Sequence, residues 1–398
     1  MAPYESDDAV DAARDEDPRG GRRKAARYAV PVAVVGVAAA TIGLVPALAA
    51  SGDPDLPRIT AQQLIDKIAK SDVQQLSGTV RTSTDLGLPN LGGLENSLAS
   101  GAAKGSGDGS SADPQSKLTS LVSGTHTLRV AASGPDKQKL SLLESGSEYS
   151  LIHNGKDVWG YDSKSNEVSH GISADSGKDR RAEPPATPKD FADQALKSVD
   201  DTTSVTVDGT ERVAGRDAYK LLIKPRQSGT TVGAISIAVD AKTGMPLKFT
   251  LTPKSGGAAV LDAGFTQVSF ARPAASTFDF TPPKGAKVTE QEKGATARPE
   301  RTPGMGFAEG HDKGTVLGKG WTSIATFDTG AKGGLPTGSR GGDLGGFLGS
   351  LGDTVTGKFG KGTVFSTRLV NALITDDGKV YAGAVTKDAL VKAANTGK

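Results

Sequence analysis

The stretch YSLIHNGKDVWGYDSKSNEVSH, residues 149–170, holds short runs of alternating polarity on either side of a turn. Asn154-Gly155 supplies the turn, because both residue types tolerate the positive φ that tight hairpins require. Side chains on successive strand residues point to opposite faces, so alternation of this kind indicates a half-buried strand. The stretch therefore predicts an antiparallel hairpin with one apolar face.

The same pattern continues on both sides of this hairpin. Residues 124–173 form a series of short runs separated by turn residues, and similar runs follow between residues 203 and 273. Tandem short strands joined by brief turns are typical of one curved antiparallel sheet or of a barrel-like fold. We therefore predict a mainly β, α+β fold built on such a sheet.

The alternation gives this predicted sheet one apolar face, which must be covered. Two short helices do not obviously fill a concave sheet of this size, so the uncovered part can be a cavity, unless loops fill it instead. The candidate lining residues are Tyr149, Leu151, Trp159, Tyr161, Tyr219, Leu221, Ile223, Ile235, Ile237, Val239, Leu247, Phe249 and Leu251.

Two helices are available to cover the face. In the stretch ITAQQLIDKIAKSDV, residues 59–73, Thr60 and Gln63 form a capping box, which satisfies two free amide donors at the helix start. A second helix is predicted over 188–199, with Thr187 as its cap and a proline at its first position. The first helix is the candidate lid, through its apolar residues Leu64, Ile65 and Ile68.

The N-terminal region predicts export. Residues 28–52 carry no charge, and six basic residues precede them within a polar tail, 1–27, that reads as disordered and cytoplasmic. The uncharged stretch is either a transmembrane anchor or a signal peptide cleaved after Ala49, at the A-x-A site Ala47-Leu48-Ala49. Either way, the basic flank stays cytoplasmic and residues 53–398 become extracytoplasmic, secreted or held at the membrane.

Several functional classes are excluded or disfavoured by composition. The chain has no cysteine, which excludes disulfides, thiolate metal sites and a catalytic thiol. Its formal net charge of +2 gives no bulk attraction to nucleic acid. The stretch GDTVTGKF, residues 352–359, misses the phosphate-loop pattern because Phe359 replaces the metal-binding hydroxyl residue.

No catalytic or metal-binding constellation stands out. The four histidines are scattered, although His126 and His153 fall on what we take as neighbouring strands, where two ordinary strand histidines are the favoured interpretation. Asp157 and Asp162 flank Trp159 and read as solvated turn residues rather than as a carboxylate pair. We therefore predict that the chain is not an enzyme and uses no cofactor or metal.

The remaining segments divide the chain. Residues 85–118 are rich in glycine and serine and predict a long loop, with a mobile flap as the less favoured alternative. The main β domain is predicted over 53–288 and a linker over 289–316. Residues 317–398 include a glycine-rich tract and form either a small second module or the closing edge of the first sheet.

Phrases along the chain resemble one family. LSGTV at 76–80, GKDVWGYD at 155–162 and FDFTPP at 278–283 are similar, in this order, to the superfamily of the lipoprotein carrier LolA and the sigma-E regulator RseB, also called MucB. The resemblance covers roughly 59–288. It implies a half-open antiparallel barrel closed by helices, with an apolar cavity that accommodates lipid acyl chains. The long loop, and a glycine-rich C-terminal part without a counterpart in the carrier, depart from that pattern.

Three functions follow as alternatives. The first is an exported, membrane-tethered protein that sequesters the acyl chains of a lipid or lipoprotein without covalent chemistry. The second is an extracytoplasmic regulatory protein that binds an anti-sigma factor or another envelope protein, as RseB-like proteins do through a second domain. The third is a structural envelope β-domain with a filled core. None of the three involves nucleic acid.

Overall fold

A computed structural model describes residues 53–87, 123–172, 187–290, 314–328 and 352–397. The predicted tail, the uncharged stretch 28–52, most of the 85–118 loop and the glycine-rich tract lie outside the described residues. Within the described ranges, no helix is long and apolar enough to cross a bilayer. The fold is mainly β with few helices, as predicted.

Twelve strands form the first sheet. In spatial order they are β12, β6, β5, β4, β3, β2, β1, β11, β10, β9, β8 and β7, so the sheet stays open, with β12 and β7 as its edges. Their bounds are β1 Gln75–Thr84, β2 Gly124–Ser133, β3 Lys137–Glu144, β4 Ser147–Asn154, β5 Asp157–Asp162, β6 Glu167–Ile172, β7 Thr203–Val213, β8 Arg216–Pro225, β9 Val232–Asp240, β10 Pro246–Pro253, β11 Leu261–Ser269 and β12 Lys287–Glu290. All neighbours pair antiparallel except β12, which runs parallel to β6.

A separate sheet of six strands follows. Its spatial order is β13, β14, β18, β17, β16 and β15. The bounds are β13 Thr315–Leu317, β14 Ile324–Asp328, β15 Gly352–Gly357, β16 Gly360–Ser366, β17 Asn371–Thr375 and β18 Lys379–Gly383. The P-loop-like stretch thus lies in the β15–β16 hairpin, and Phe359 is buried in the core of this sheet.

Within the described ranges, three α-helices accompany the sheets, and a side chain caps each of them. They are α1 Ala61–Ala69, α2 Pro188–Lys197 and α3 Lys387–Thr396. The predicted Thr60–Gln63 capping box is present, and Thr187 forms a second box with Asp190. Both α1 and α2 end earlier than the sequence pattern suggested, α1 at Ala69 rather than near residue 73.

Direct contacts fasten the second sheet to the first. The backbone N–H of Thr231, beside β9, donates to the carbonyl of Ala384 over 3.0 Å. The guanidinium of Arg368 lies 2.6 Å from the carboxylate of Asp85, just after β1. Trp321 follows β13 and donates from Nε1 to Oγ1 of Thr203 at the edge strand β7, over 2.9 Å. The predicted strand 320–328 therefore begins with a single 3₁₀ turn, which presents this indole to the first sheet.

Candidate functional site

The apolar face of the first sheet brings together most of the predicted lining residues. Cross-strand partners share a face, and the register aligns Leu221 with Ile237 and Ile237 with Phe249. The same alignment joins Tyr219 to Val239. Residues of β8, β9 and β10 therefore form one apolar surface, whose predicted members are Tyr219, Leu221, Ile223, Ile235, Ile237, Val239, Phe249 and Leu251.

Helices α1 and α2 cover this surface. Leu64 and Ile68 of α1 are buried in the same cluster as the strand residues, with Ile65 partly buried beside them. Phe191 of α2 stacks on Phe249, with ring centroids 5.4 Å apart. We call α1, α2 and the β8–β10 surface beneath them the lidded face. In this structure, side chains of the two helices occupy the place where the sequence predicted a ligand.

The segment before α1 is also held on the sheet. Oη of Tyr219 donates to the carbonyl of Pro57 over 2.9 Å, and Oγ1 of Thr210 donates to the carbonyl of Pro54 over 2.8 Å. Each bond ties the chain to β7 or β8, next to the lidded face. A hydrogen bond of this kind contributes about 1 kcal/mol net, so the attachment of the lid is local and modest.

Three further predicted lining residues belong to a second cluster on the same face, and they are Tyr149, Leu151 and Leu247. Tyr149 aligns with Leu142, Leu142 with Leu128, and Leu128 with Val80. Val80 in turn aligns with Phe265 of β11, so the face continues across the sheet. Leu151 is partly buried against this second cluster, and Leu247 joins it at a bulge between β9 and β10.

Trp159 and Tyr161 lie on the opposite face, which corrects the prediction that they share a cavity with the others. The β4–β5 register aligns Ile152 with Trp159 and Ser150 with Tyr161, whereas Leu151 aligns with Gly160. A residue of β5 that aligns with an even-numbered residue of β4 cannot share a face with Tyr149 or Leu151.

The opposite face carries a cluster centred on His170, one of the four histidines that are scattered along the sequence. His170 stacks on Trp159 with ring centroids 3.8 Å apart and an interplanar angle of 14°. Its Nε2 lies 2.9 Å from a carboxylate oxygen of Asp157, and its Nδ1 lies 2.7 Å from Glu290 of β12. Phe280 packs against both Trp159 and Tyr161.

The two carboxylates favour the charged form of His170. Burial alone would lower the pKa of His170, but hydrogen bonds and charge interactions with Asp157 and Glu290 outweigh it, so the pKa is raised. A protonated His170 donates through both ring nitrogens and joins the edge strand β12 to β5 and β6. We call His170, Asp157 and Glu290 the His170 latch, because their contacts attach β12 to the sheet.

The predicted approach of His126 to His153 is wrong. His126 lies on β2 and His153 on β4, and β3 separates these two strands.

Two open cavities flank these faces. One, of about 470 Å³, lies on the face of Trp159 and is lined by polar residues that include Thr79, Arg129 and Ser141. There Ser150 donates to Glu148, and although burial acts to raise the pKa of Glu148, the serine hydrogen bonds lower it. The other, of about 630 Å³, lies beside α1.

Comparison with known proteins matches one family model. Residues 120–283 match the model described as the MucB/RseB N-terminal domain. This match confirms the predicted resemblance to the LolA/RseB superfamily. A comparison with curated proteins finds no match.

Solved structures with low identity also align. The complex of Pseudomonas aeruginosa MucA/MucB is 17% identical, covering 84% of this chain and 96% of that chain with a TM-score of 0.40. A LolA superfamily protein from Nitrosomonas europaea is 11% identical, covering 56% of this chain and 99% of that chain with a TM-score of 0.20. An uncharacterized conserved protein from Thermus thermophilus is 15% identical, covering 58% and 99% of the two chains, with a TM-score of 0.31. The resemblance rests on the family-model match over residues 120–283 rather than on these structures.

Proposed function

Since this chain carries a domain of the LolA/RseB superfamily, we propose that it is an extracytoplasmic protein that sequesters the acyl chains of a lipid or lipoprotein. The acyl chain lies on the lidded face, between the sheet and the two helices. No bond is made or broken, because the protein acts by binding alone.

The observation that supports this proposal is the apolar composition of the lidded face. A continuous apolar surface on three strands is covered by two helices of 9 and 10 residues rather than by a second sheet. Helices this short owe their stability to packing rather than to intrinsic propensity. A ligand that replaces the side chains of Leu64 and Ile68 on the sheet can therefore displace α1 without breaking the strand ladder.

The free energy that is lost when the lid side chains are uncovered is more than offset by the free energy that is gained when an acyl chain is buried. Uncovering a buried leucine or isoleucine costs about 1.5–3 kcal/mol for each side chain. Burying an acyl chain of about 15 carbons gains on the order of 10 kcal/mol, at about 0.8 kcal/mol for each methylene. The same chain gains a similar amount in a bilayer, so transfer between membrane and protein is close to neutral. Such a balance suits reversible carriage.

In this proposal, residues 28–52 determine whether the protein stays attached to the membrane. An uncleaved segment would tether the protein to the cytoplasmic membrane, and cleavage after Ala49 would release it. In both cases, residues 53–398 work on the extracytoplasmic side, where lipids and lipoproteins leave the outer leaflet.

Native mass spectrometry tests the proposal. The protein is purified without detergent, its mass is measured, and bound lipid is extracted and identified. We expect a stoichiometric lipid, or uptake of an added fluorescent fatty acid at one equivalent. A clean apo mass together with no uptake would contradict acyl-chain binding and would favour the structural alternative, in which the helices fill the core permanently.

A second candidate function is regulatory, and the match to the MucB/RseB model favours it. In this alternative, the protein binds an anti-sigma factor or another envelope protein, and the second sheet is the contact region. Val316 on the edge strand β13 is 58% exposed, which is high for a valine. A photo-crosslinking residue at position 316 should capture one specific membrane protein in cells, and absence of any specific adduct there would count against this surface.

A further inference from the structure

The cavity beside α1 is strongly basic. Its walls are the segment 57–59, helix α1 and the turn between β9 and β10. The lining includes one acidic residue, Asp66, and four basic ones, which are Arg58, Lys67, Lys70 and Lys242. We call this cavity the basic cleft.

Within the part of the chain that the structure describes, none of the four cations of the basic cleft forms an ion pair. Asp66, the acidic residue of the lining, accepts a hydrogen bond from the side chain of Gln62 over 2.9 Å. Like charges around one concavity repel each other and raise the local concentration of anions. The arrangement is therefore complementary to a negatively charged partner.

Close contacts hold the walls of the basic cleft against each other in this structure. Gly244 in the β9–β10 turn has φ +75°, and a Cβ at this position would lie 2.4 Å from the carbonyl oxygen of Lys67. The turn and the end of α1 are thus in close backbone contact. Asp240 anchors the same turn by accepting from the backbone N–H of Thr243 over 2.7 Å.

Stabilisation of the helix dipole explains only two of the four positive charges of the basic cleft. Lys67 and Lys70 lie at the C-terminal end of α1, where positive charge stabilises the helix dipole. Arg58 precedes the helix and Lys242 lies on a different element, so the dipole explains neither of them. These two cations close the cleft from the other sides.

We propose that the basic cleft docks the protein on the anionic surface of a lipid bilayer. Clusters of lysine and arginine close to a membrane are attracted by anionic headgroups. Arg58 comes six positions after the end of the uncharged stretch 28–52, so the cleft begins where the chain follows its predicted membrane segment. Docking at this surface does not require that the protein sequester acyl chains, so either proposal can fail without the other.

A fluorescent probe on α1 tests the docking. Because the chain has no cysteine, an Ala69→Cys variant of the full chain takes one thiol-reactive fluorophore, next to the cleft. The labelled protein is mixed with phosphatidylcholine vesicles, with or without phosphatidylglycerol, that carry a lipid-borne quencher. We expect more quenching on the anionic vesicles than on the zwitterionic ones, because an uncleaved segment 28–52 would bring the protein to both kinds of vesicle alike. A matched Ser255→Cys variant, labelled in the turn after β10, should show little quenching on either.

Charge variants separate a local site from net charge. Replacing the four cleft cations by glutamine should lower the ratio of docked to undocked protein by about fivefold for each cation removed. The control variant loses the same total charge at exposed lysines outside the cleft, which are Lys254, Lys284, Lys358 and Lys361. Equal losses in the two variants would overturn the proposal, as would equal quenching on zwitterionic vesicles.

Salt provides a test that needs no variant. At an ionic strength of about 1 M the Debye length is only about 3 Å, so electrostatic docking of the probe should disappear. A difference in quenching between anionic and zwitterionic vesicles that survives this salt concentration would contradict docking by charge.

Discussion

Leu151 and Trp159 lie on adjacent strands but on opposite faces of the first sheet, because Trp159 aligns with Ile152 rather than with Leu151. The two residues therefore belong to different environments. Leu151 borders the apolar core, and Trp159 stacks on His170 outside it. One face of the first sheet can therefore hold an acyl chain. The other face carries the His170 cluster, which attaches the edge strand β12.

The first prediction concerns the two faces. Trp159→Glu should leave fatty-acid uptake unchanged, because its side chain is not on the lidded face. Ile65→Glu, on the lid helix, should weaken uptake at least tenfold, because a carboxylate next to an acyl chain must be desolvated. Titration with a fluorescent fatty acid measures both, and circular dichroism confirms that each variant folds. Equal effects of the two substitutions would contradict the assignment of faces.

The second prediction concerns movement of the lid. Leu64 in α1 and Leu390 in α3 are both 0% exposed. They form a matched pair of buried helix leucines, one packed against the first sheet and one against the second. As single cysteine variants, both should react slowly with a thiol reagent in the absence of lipid. Added fatty acid should accelerate the labelling of Leu64→Cys several-fold and leave Leu390→Cys unchanged. Protection of Leu64→Cys by lipid would mean that α1 stays in place.

The third prediction concerns pH. The pKa of His170 is raised, so its stabilising effect is complete below the unfolded value of about 6.5 and is lost as the pH rises through the raised pKa. The attachment of β12 should therefore be firmer at about pH 6 than in clearly alkaline solution. Titration of the His170 ring by NMR measures the pKa, and hydrogen exchange of residues 287–290 reports the attachment.

Carboxylate variants check the cause of this pH dependence. Asp157→Asn and Glu290→Gln each remove one negative partner of His170 and should each lower its pKa. A pKa of His170 at or below the ordinary value in the unmodified protein would refute the latch.

The fourth prediction concerns the ion pair between Arg216 and Asp240. The side chain of Asp240 is 1% exposed; burial acts to raise its pKa, but the hydrogen bonds from Arg216 and Thr243 lower it. Arg216→Met leaves this carboxylate without its cation and should lower the free energy of unfolding by about 3–5 kcal/mol at neutral pH.

The stabilising effect of Asp240 is present above its unfolded pKa of about 3.9 and is lost as the pH falls through its lowered value. The destabilisation by Arg216→Met should therefore shrink in strong acid. Arg212→Met is the control, because its partner Asp217 is 42% exposed and such surface pairs contribute about 0–1 kcal/mol. Similar losses in urea unfolding for the two variants would contradict this account.

Local features were predictable because short-range chemistry determines them. The spacing of Thr60 and Gln63 is sufficient to predict the capping box, and the structure contains both of its hydrogen bonds. Thr187 and Pro188 likewise gave the start of α2 correctly. These signals act within one helical turn, so they can be recognised without knowledge of the tertiary contacts.

The position of Trp159 was also within reach of the sequence. Any two-residue hairpin between β4 and β5 aligns odd-numbered residues of one strand with even-numbered residues of the other. Asn154 does align with Asp157, across such a turn. Alternation within each strand shows which residues of that strand share a face, but only the parity across the turn relates the faces of β4 and β5 to each other.

The His170 latch could not be predicted in full. Asp157 and His170 meet across one antiparallel pair, but Glu290 is 120 residues away and arrives through a parallel pairing of a four-residue strand. No local pattern specifies a pairing of that kind. The filling of the lidded face by α1 and α2 likewise depends on how the helices dock, which spacing along the chain does not determine.

Photo-crosslinking with a fatty acid that carries a diazirine in its acyl chain tests the central claim most directly. After irradiation and digestion, mass spectrometry locates the adducts. Our account predicts adducts on α1, α2 and β8–β10, at peptides that contain Leu64, Leu221 or Ile237, and none on the peptide that contains Trp159. Adducts confined to the Trp159 face, or no adduct above that of a heat-denatured sample, would contradict it.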